Sequence, residues 1–176
     1  TNSMYQNLIR STDQMLEQLQ ELLQSLDEPS YRKALPVISN ASIGEHVRHC
    51  VEFFQALIGG VDGGSVCYDR RKRDPAIQTD PQFAAEAVQL IRDGLANLPE
   101  RGDAPIKLEV EWLDGDPAES TLGRELHYVQ DHLLHHSALI KVALRSMPEI
   151  PAQQVRDFEK FGVAPSTLTY QASLGS

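Results

Sequence analysis

The chain has 176 residues, 41% of them apolar, and a formal net charge of −9, which is enough length for one domain with a sizeable core. A surface this negative repels phosphate backbones and argues against nucleic acid as a partner, and the lack of any apolar run near about 18 residues argues against a membrane span. Two cysteines, Cys50 and Cys67, cannot form a disulfide framework, and the start of the chain lacks the basic-then-apolar layout of a leader, so a cytoplasmic protein is expected.

A first helix is expected from about Asn2 to Leu26, where Leu8, Met15, Leu16, Leu19, Leu22, Leu23 and Leu26 recur at helical spacing. Pro29 and Pro36 bound a loop. The second helix opens on Ser42-x-x-Glu45, a capping box, runs through Ile43, Val47, Cys50, Val51, Phe54, Leu57 and Ile58, and ends at Gly59-Gly60. From Asp62-Gly63-Gly64 to Asp74-Pro75 the chain reads as a long loop, of a kind usually functional or mobile. Thr79-Asp80-Pro81 starts a third helix with Phe83, Ala84, Ala87, Leu90, Ile91 and Leu95 on its apolar face, and Pro99 stops it. Ile106 to Trp112 alternates apolar and polar residues before Asp114-Gly115, the pattern of a two-stranded ribbon with a hairpin turn. A fourth helix spans about Thr121 to Ser146, and a short fifth is expected near Pro151 to Phe161. The fold class is therefore all-α: a four-helix bundle with a small β-ribbon or loop insertion before the last long helix and a short C-terminal helix. Residues 1–147 form the bundle in this reading, and 148–176 form a C-terminal extension packing on it.

All six histidines fall in two stretches, Ser42 to Cys50 and His127 to His136. His132 and His136 are four residues apart, so on a helix they stack on one face, and two imidazoles so placed can grip one metal ion. Against the direction set by Leu122, Leu126, Val129, Leu133, Ile140 and Leu144, His136 lies about 30° and His132 about 70° off the core line. His135 points well to one side and His127 points away. In the second helix His46 lies nearer the apolar face. His49 sits at the boundary beside Phe53 and Ala56, a position that suits a cleft lip as well as the surface. Periodicity favours His46 as the inward partner, and helix geometry leaves the choice between the two open.

A set of imidazole ligands on a divalent ion leaves a coordination position open, which is the mark of a catalytic rather than a structural site. Such an ion acidifies a coordinated water or stabilises a thiolate, and imidazole suits zinc, nickel, copper and iron alike. Tyr68 and the run Arg70, Arg71, Lys72, Arg73 read either as a loop that holds an anionic substrate or as a solvated run paired with Asp69 and Asp74. Glu45 and Asp131 read either as carboxylates that orient ligand histidines or as a cap and a solvated charge. There is no Ser/His/Asp triad, phosphate-cradling glycine loop or His-Glu-x-x-His motif, so no catalytic residue is assigned.

A serine-started helix with a histidine seven positions on, Ser42 to His49, followed by a later helix carrying His132-x-x-x-His136, resembles the DinB/YfiT-like superfamily of metal-binding four-helix bundles. The resemblance spans Asn2 to Met147. Ala41 stands where the family usually has tryptophan, and Ser137-Ala138-Leu139 where it often has Arg-Gly-Gln. The resemblance implies His49, His132 and His136 as ligands of a divalent metal, zinc or nickel. His46 then stands where the family has an apolar residue, beside the ligands with Glu45 and Asp131. It further implies a metal-dependent enzyme acting on a small-molecule substrate by thiol transfer or hydrolysis, with a low-molecular-weight thiol as a second cofactor, in a homodimer. The alternative expectation is a non-catalytic metal- or ligand-binding bundle.

Overall fold

The structure, a computed structural model, describes residues 3–148 and 158–175. Four long helices carry it: α1 (Met4–Ser25), α3 (Ile43–Gly60), α5 (Pro81–Ala96) and α6 (Leu122–Arg145), with shorter α2 (Glu28–Arg32), α4 (Pro75–Thr79) and α7 (Pro165–Leu174). Each long helix begins where its side chains satisfy the free N–H groups of the first turn. Ser3 and Ser42 make capping boxes with Gln6 and Glu45, Asp80 accepts from the N–H groups of Gln82 and Phe83, and Thr121 accepts from that of Arg124.

The helices pair α1 with α5 and α3 with α6, and α3 also packs on α5, so their apolar stripes meet along one axis. Leu16, Leu19, Leu22, Val47, Val51, Leu57, Val88, Leu126 and Leu133 are essentially inaccessible there. Burial of a side chain of this size stabilises by about 1.5–3 kcal/mol. Helix α4 crosses α3 closely because residue 44 is glycine: a Cβ there would collide with the Gln78 carbonyl oxygen and with Tyr31. That contact anchors the segment between Gly60 and Pro75 against α3.

Three expectations are corrected in the connections. The long loop after Gly60 holds β1 (Ser65–Val66), a 3₁₀ turn at Tyr68–Arg70 and α4, and Val66, Tyr68 and Ile77 are buried. The ribbon is a three-stranded sheet in the order β1-β2-β3: β2 (Pro105–Leu108) pairs antiparallel with β3 (Ala118–Thr121), and β1 runs parallel to β2. Its connection is the long segment 109–117, not a tight turn at Asp114-Gly115. Alternation continued past Leu108, but Glu109 is the last residue to donate to β1, through the Val66 carbonyl. Pro29 and Pro36, expected to bound a loop, start α2 and a 3₁₀ turn.

The fifth helix expected near Pro151 to Phe161 falls mostly outside the described residues, and α7 lies further on. Phe158 and Phe161 are buried, and Lys141 of α6 donates to the Glu159 carbonyl at 2.8 Å. No helix among the described residues is long and apolar enough to cross a membrane.

Candidate metal centre

Helices α3 and α6 run side by side, and their facing edges carry the histidines. His49, His132 and His136 each offer a ring nitrogen, and the three nitrogens lie within 4.8 Å of one another. The ring centroids are 4.6–4.9 Å apart, and all three residues are half-buried. Among the described residues this is the one such group of three. His135 lies outside it, 3.8 Å from Asp131 on an exposed flank of α6.

Burial disfavours the imidazolium form, and the packed rings disfavour it further. His132 is held down to about 3 by burial, then by His136 and His49. His49 is held at about 4 by burial, His136 and Arg71, and His136 at about 4 by burial, His46 and His135. At neutral pH all three rings are neutral and have a lone pair to give. His132 Nδ1 is buried with no hydrogen-bond partner, and Phe53 fixes its ring by stacking at 4.0 Å and 10°. An orphaned buried nitrogen among neutral imidazoles is a donor set that fits a divalent ion.

His46 lies beside the group of three and bonds to one of its members. Its Nδ1 is 2.8 Å from His136 Nδ1, so one ring donates and the other accepts. If His136 donates, its Nε2 keeps the lone pair that a metal needs. Burial also lowers the His46 pKa, against the pull of Glu45. Periodicity favoured His46 as the inward ligand; the tertiary structure brings His49 into the group of three and leaves His46 one ring behind it.

The remaining expected residues divide between the site and its surroundings. Glu45 is committed to the N-cap, its Oε2 accepting from Ser42 N–H at 2.7 Å, and Asp131 faces His135; neither hydrogen-bonds to the three histidines. Arg70 pairs with Glu109, and Arg73 is exposed. Arg71 turns inward: Nη2 donates to His49 Nδ1 at 3.1 Å and Nη1 to the Tyr68 carbonyl at 3.1 Å. A guanidinium cannot accept, so neutral His49 carries its proton on Nε2. Ligation through either His49 nitrogen then displaces the Arg71 hydrogen bond. Tyr68 donates to Glu125 Oε1 at 2.9 Å.

Sequence reasoning gave no role to four residues around this site. Glu52 is fully buried, accepting from Asp74 N–H at 2.6 Å with the Arg48 and Arg71 guanidiniums 3.4 and 3.7 Å away. Phe53 is packed between His132 and Tyr68, with ring planes within 12° of parallel. Glu125 and Tyr128 line a cleft of about 400 Å³ that also takes in Phe53 and Tyr68. A signal was present: Glu125, Tyr128, His132 and His136 recur at i, i+3, i+7 and i+11 on one face of α6.

The family model of the DinB superfamily matches residues 11–140, a span that holds all three histidines. The chain belongs to the DinB superfamily. Searches of curated proteins and of solved structures found no match. As a DinB-superfamily bundle it places the histidine motifs of its second and last long helices within reach of a single ion.

Proposed function

We propose that this DinB-superfamily protein is a metal-dependent enzyme that holds one divalent ion, zinc or nickel, on His49, His132 and His136 and acts on a small molecule by thiol transfer or hydrolysis. The observation that carries the reading is three neutral imidazoles from two helices with their nitrogens within 4.8 Å. When bound, the ion supplies Lewis-acid activation of a water or thiol.

The chain's own residues supply the rest. Phe53 holds the His132 ring by stacking, and His46 orients His136 through the Nδ1 contact. With an ion on His49, Arg71 would lose its hydrogen bond there and stay held by the Tyr68 carbonyl beside Glu52. The Tyr68 hydroxyl keeps its proton: burial and the Glu125 carboxylate push its pKa up, so it donates rather than ionises. The substrate enters from the cleft lined by Tyr68 and Tyr128.

A second reading, a bundle that binds metal without catalysis, is favoured by one observation. No carboxylate among the described residues hydrogen-bonds to the three histidines, so the site has no evident base at its centre. Elemental mass spectrometry of untagged protein tests the metal in both readings. About one equivalent in wild type, retained in His46→Ala and lost in His49→Ala and His136→Ala, is the expected result. A wild type that stays metal-free after reconstitution would refute both. Turnover of thiol acceptors, esters or amides then separates enzyme from binder.

A further inference from the structure

We propose that the cleft beside the histidines binds a small organic cation, an amine carried on an apolar or aromatic body. The cleft, of about 400 Å³, lies between α3, the Tyr68–Arg70 turn, the β2–β3 connection and the start of α6. Beside Phe53, three further aromatic rings form its walls. Tyr68 and Tyr128 meet as a corner, centroids 5.3 Å apart at 52°, and Trp112, 75% exposed, adds a third ring from the β2–β3 connection. The faces of such rings attract cations, and their area suits an apolar body.

The charge of the cleft decides the sign of the ligand. Glu125 is 5% exposed and accepts from the Tyr68 hydroxyl at 2.9 Å and from Ser120 Oγ at 2.7 Å. Both donors are neutral, and no ion pair among the described residues cancels the carboxylate. A buried carboxylate without a cationic partner is costly, and a bound ammonium would supply that partner. Asp69, also in the lining, accepts from the backbone N–H of Glu111 at 3.0 Å, again a neutral donor. Glu109 is already paired with Arg70, and the one cation in the lining, Arg124, is exposed. An anion entering here would meet the buried Glu125 carboxylate and the exposed Asp69 carboxylate, neither in an ion pair among the described residues. The basic run does not rescue it, because Arg70 is spent on Glu109 and Arg71 is turned to His49 and Glu52.

As the substrate pocket of the metal site, the cleft rests on the function proposed above; as a cation site it does not need the metal. Phe53 and Tyr128 join the two, since both rings contact that of His132. Trp112 is the only tryptophan of the chain, so its emission reports occupancy. The experiment titrates the full chain with 2-phenylethylammonium and with 3-phenylpropionate, with zinc and in chelator, and confirms both by calorimetry. Saturable binding of the ammonium, at least about tenfold tighter than the carboxylate, is expected. Glu125→Gln should abolish that preference while keeping an acceptor for Tyr68. Should Glu125→Gln fail to fold, Asp69→Asn should narrow the preference and Tyr128→Leu should weaken the ammonium several-fold. Equal or tighter binding of the carboxylate, no saturation by either compound, or a preference untouched by the variant that folds would overturn the proposal. Ammonium binding by a protein that never takes up metal would sink the metal reading and leave this one standing. Metal uptake without ammonium binding would do the reverse.

Discussion

The seam between α1 and α5 and the seam between α3 and α6 start from the same kind of amphipathic helix and end differently. Between α1 and α5 the buried side chains are mostly leucine from α1 and alanine, valine and isoleucine from α5, closed at the edge by Arg92 donating to both oxygens of Asp13 at 2.8 and 3.2 Å. Between α3 and α6 the apolar stripe gives way to four half-buried rings, His49, His132 and His136 in mutual contact and His46 against His136. The first seam stabilises the bundle. The second gives up apolar packing and holds neutral basic nitrogens close together, a donor set that could hold a metal ion.

The largest effect expected is at the first seam. Leu19→Ala should destabilise by about 2–5 kcal/mol in urea melts, by lost burial plus the cavity left behind, and should leave the metal stoichiometry of the folded protein unchanged. Loss of metal in that variant would break the separation between the seams. The next effect belongs to the second seam. Added zinc at about 100 times its dissociation constant should stabilise wild type by about 2.7 kcal/mol, and His132→Ala should abolish that gain in thermal melts.

A third prediction concerns pH in the metal-free protein. The ordinary histidine value is 6.5, whereas burial holds folded His49 and His136 at about 4 and His132 at about 3. Between pH 6.5 and about 4 the unfolded chain binds protons that the folded chain does not. Stability from these rings is therefore fully present above pH 6.5 and falls as pH drops through that window. Urea melts in chelator at pH 7 and pH 5 should show the loss, and His132→Leu should reduce it; equal stability of wild type at both pH values would contradict the burial argument. A fourth sharpens the role of Arg71. Arg71→Gln removes a cation and a competing hydrogen bond from His49, so zinc affinity by competition titration should rise by about tenfold or less. Weaker binding would mean that Arg71 supports the ligand set. The smallest effect is expected from Asp13→Asn, at most about 1 kcal/mol, because the pair with Arg92 is partly exposed and screened.

Much of this was legible in the chain. Capping residues and 3.6-residue periodicity located α1, α3, α5 and α6, because those signals act within a few residues of each helix end or face. The i, i+4 spacing of His132 and His136 put both on one edge of α6 for the same local reason. The choice between His46 and His49 was not local. Both lie near the edge of α3, and their roles depend on where α6 approaches, which brings His49 into the group of three and leaves His46 bonded to His136.

Long-range pairing also escaped the periodicity. Strand β1 is two residues long and exists because β2, some forty positions later, offers it a partner. Glu52 reads on its own helix as a solvated charge, yet it is buried where Arg71 and the Asp74 N–H fold back on it. Arg71 sits in a basic run and only its neighbours in space turn it toward His49. Helix identity and helix face follow from interactions between residues a turn apart, so the order of residues was enough for them. Which side chains share a cleft, and which charges lose their water, follows from how whole helices and strands pack, and that required the assembled bundle.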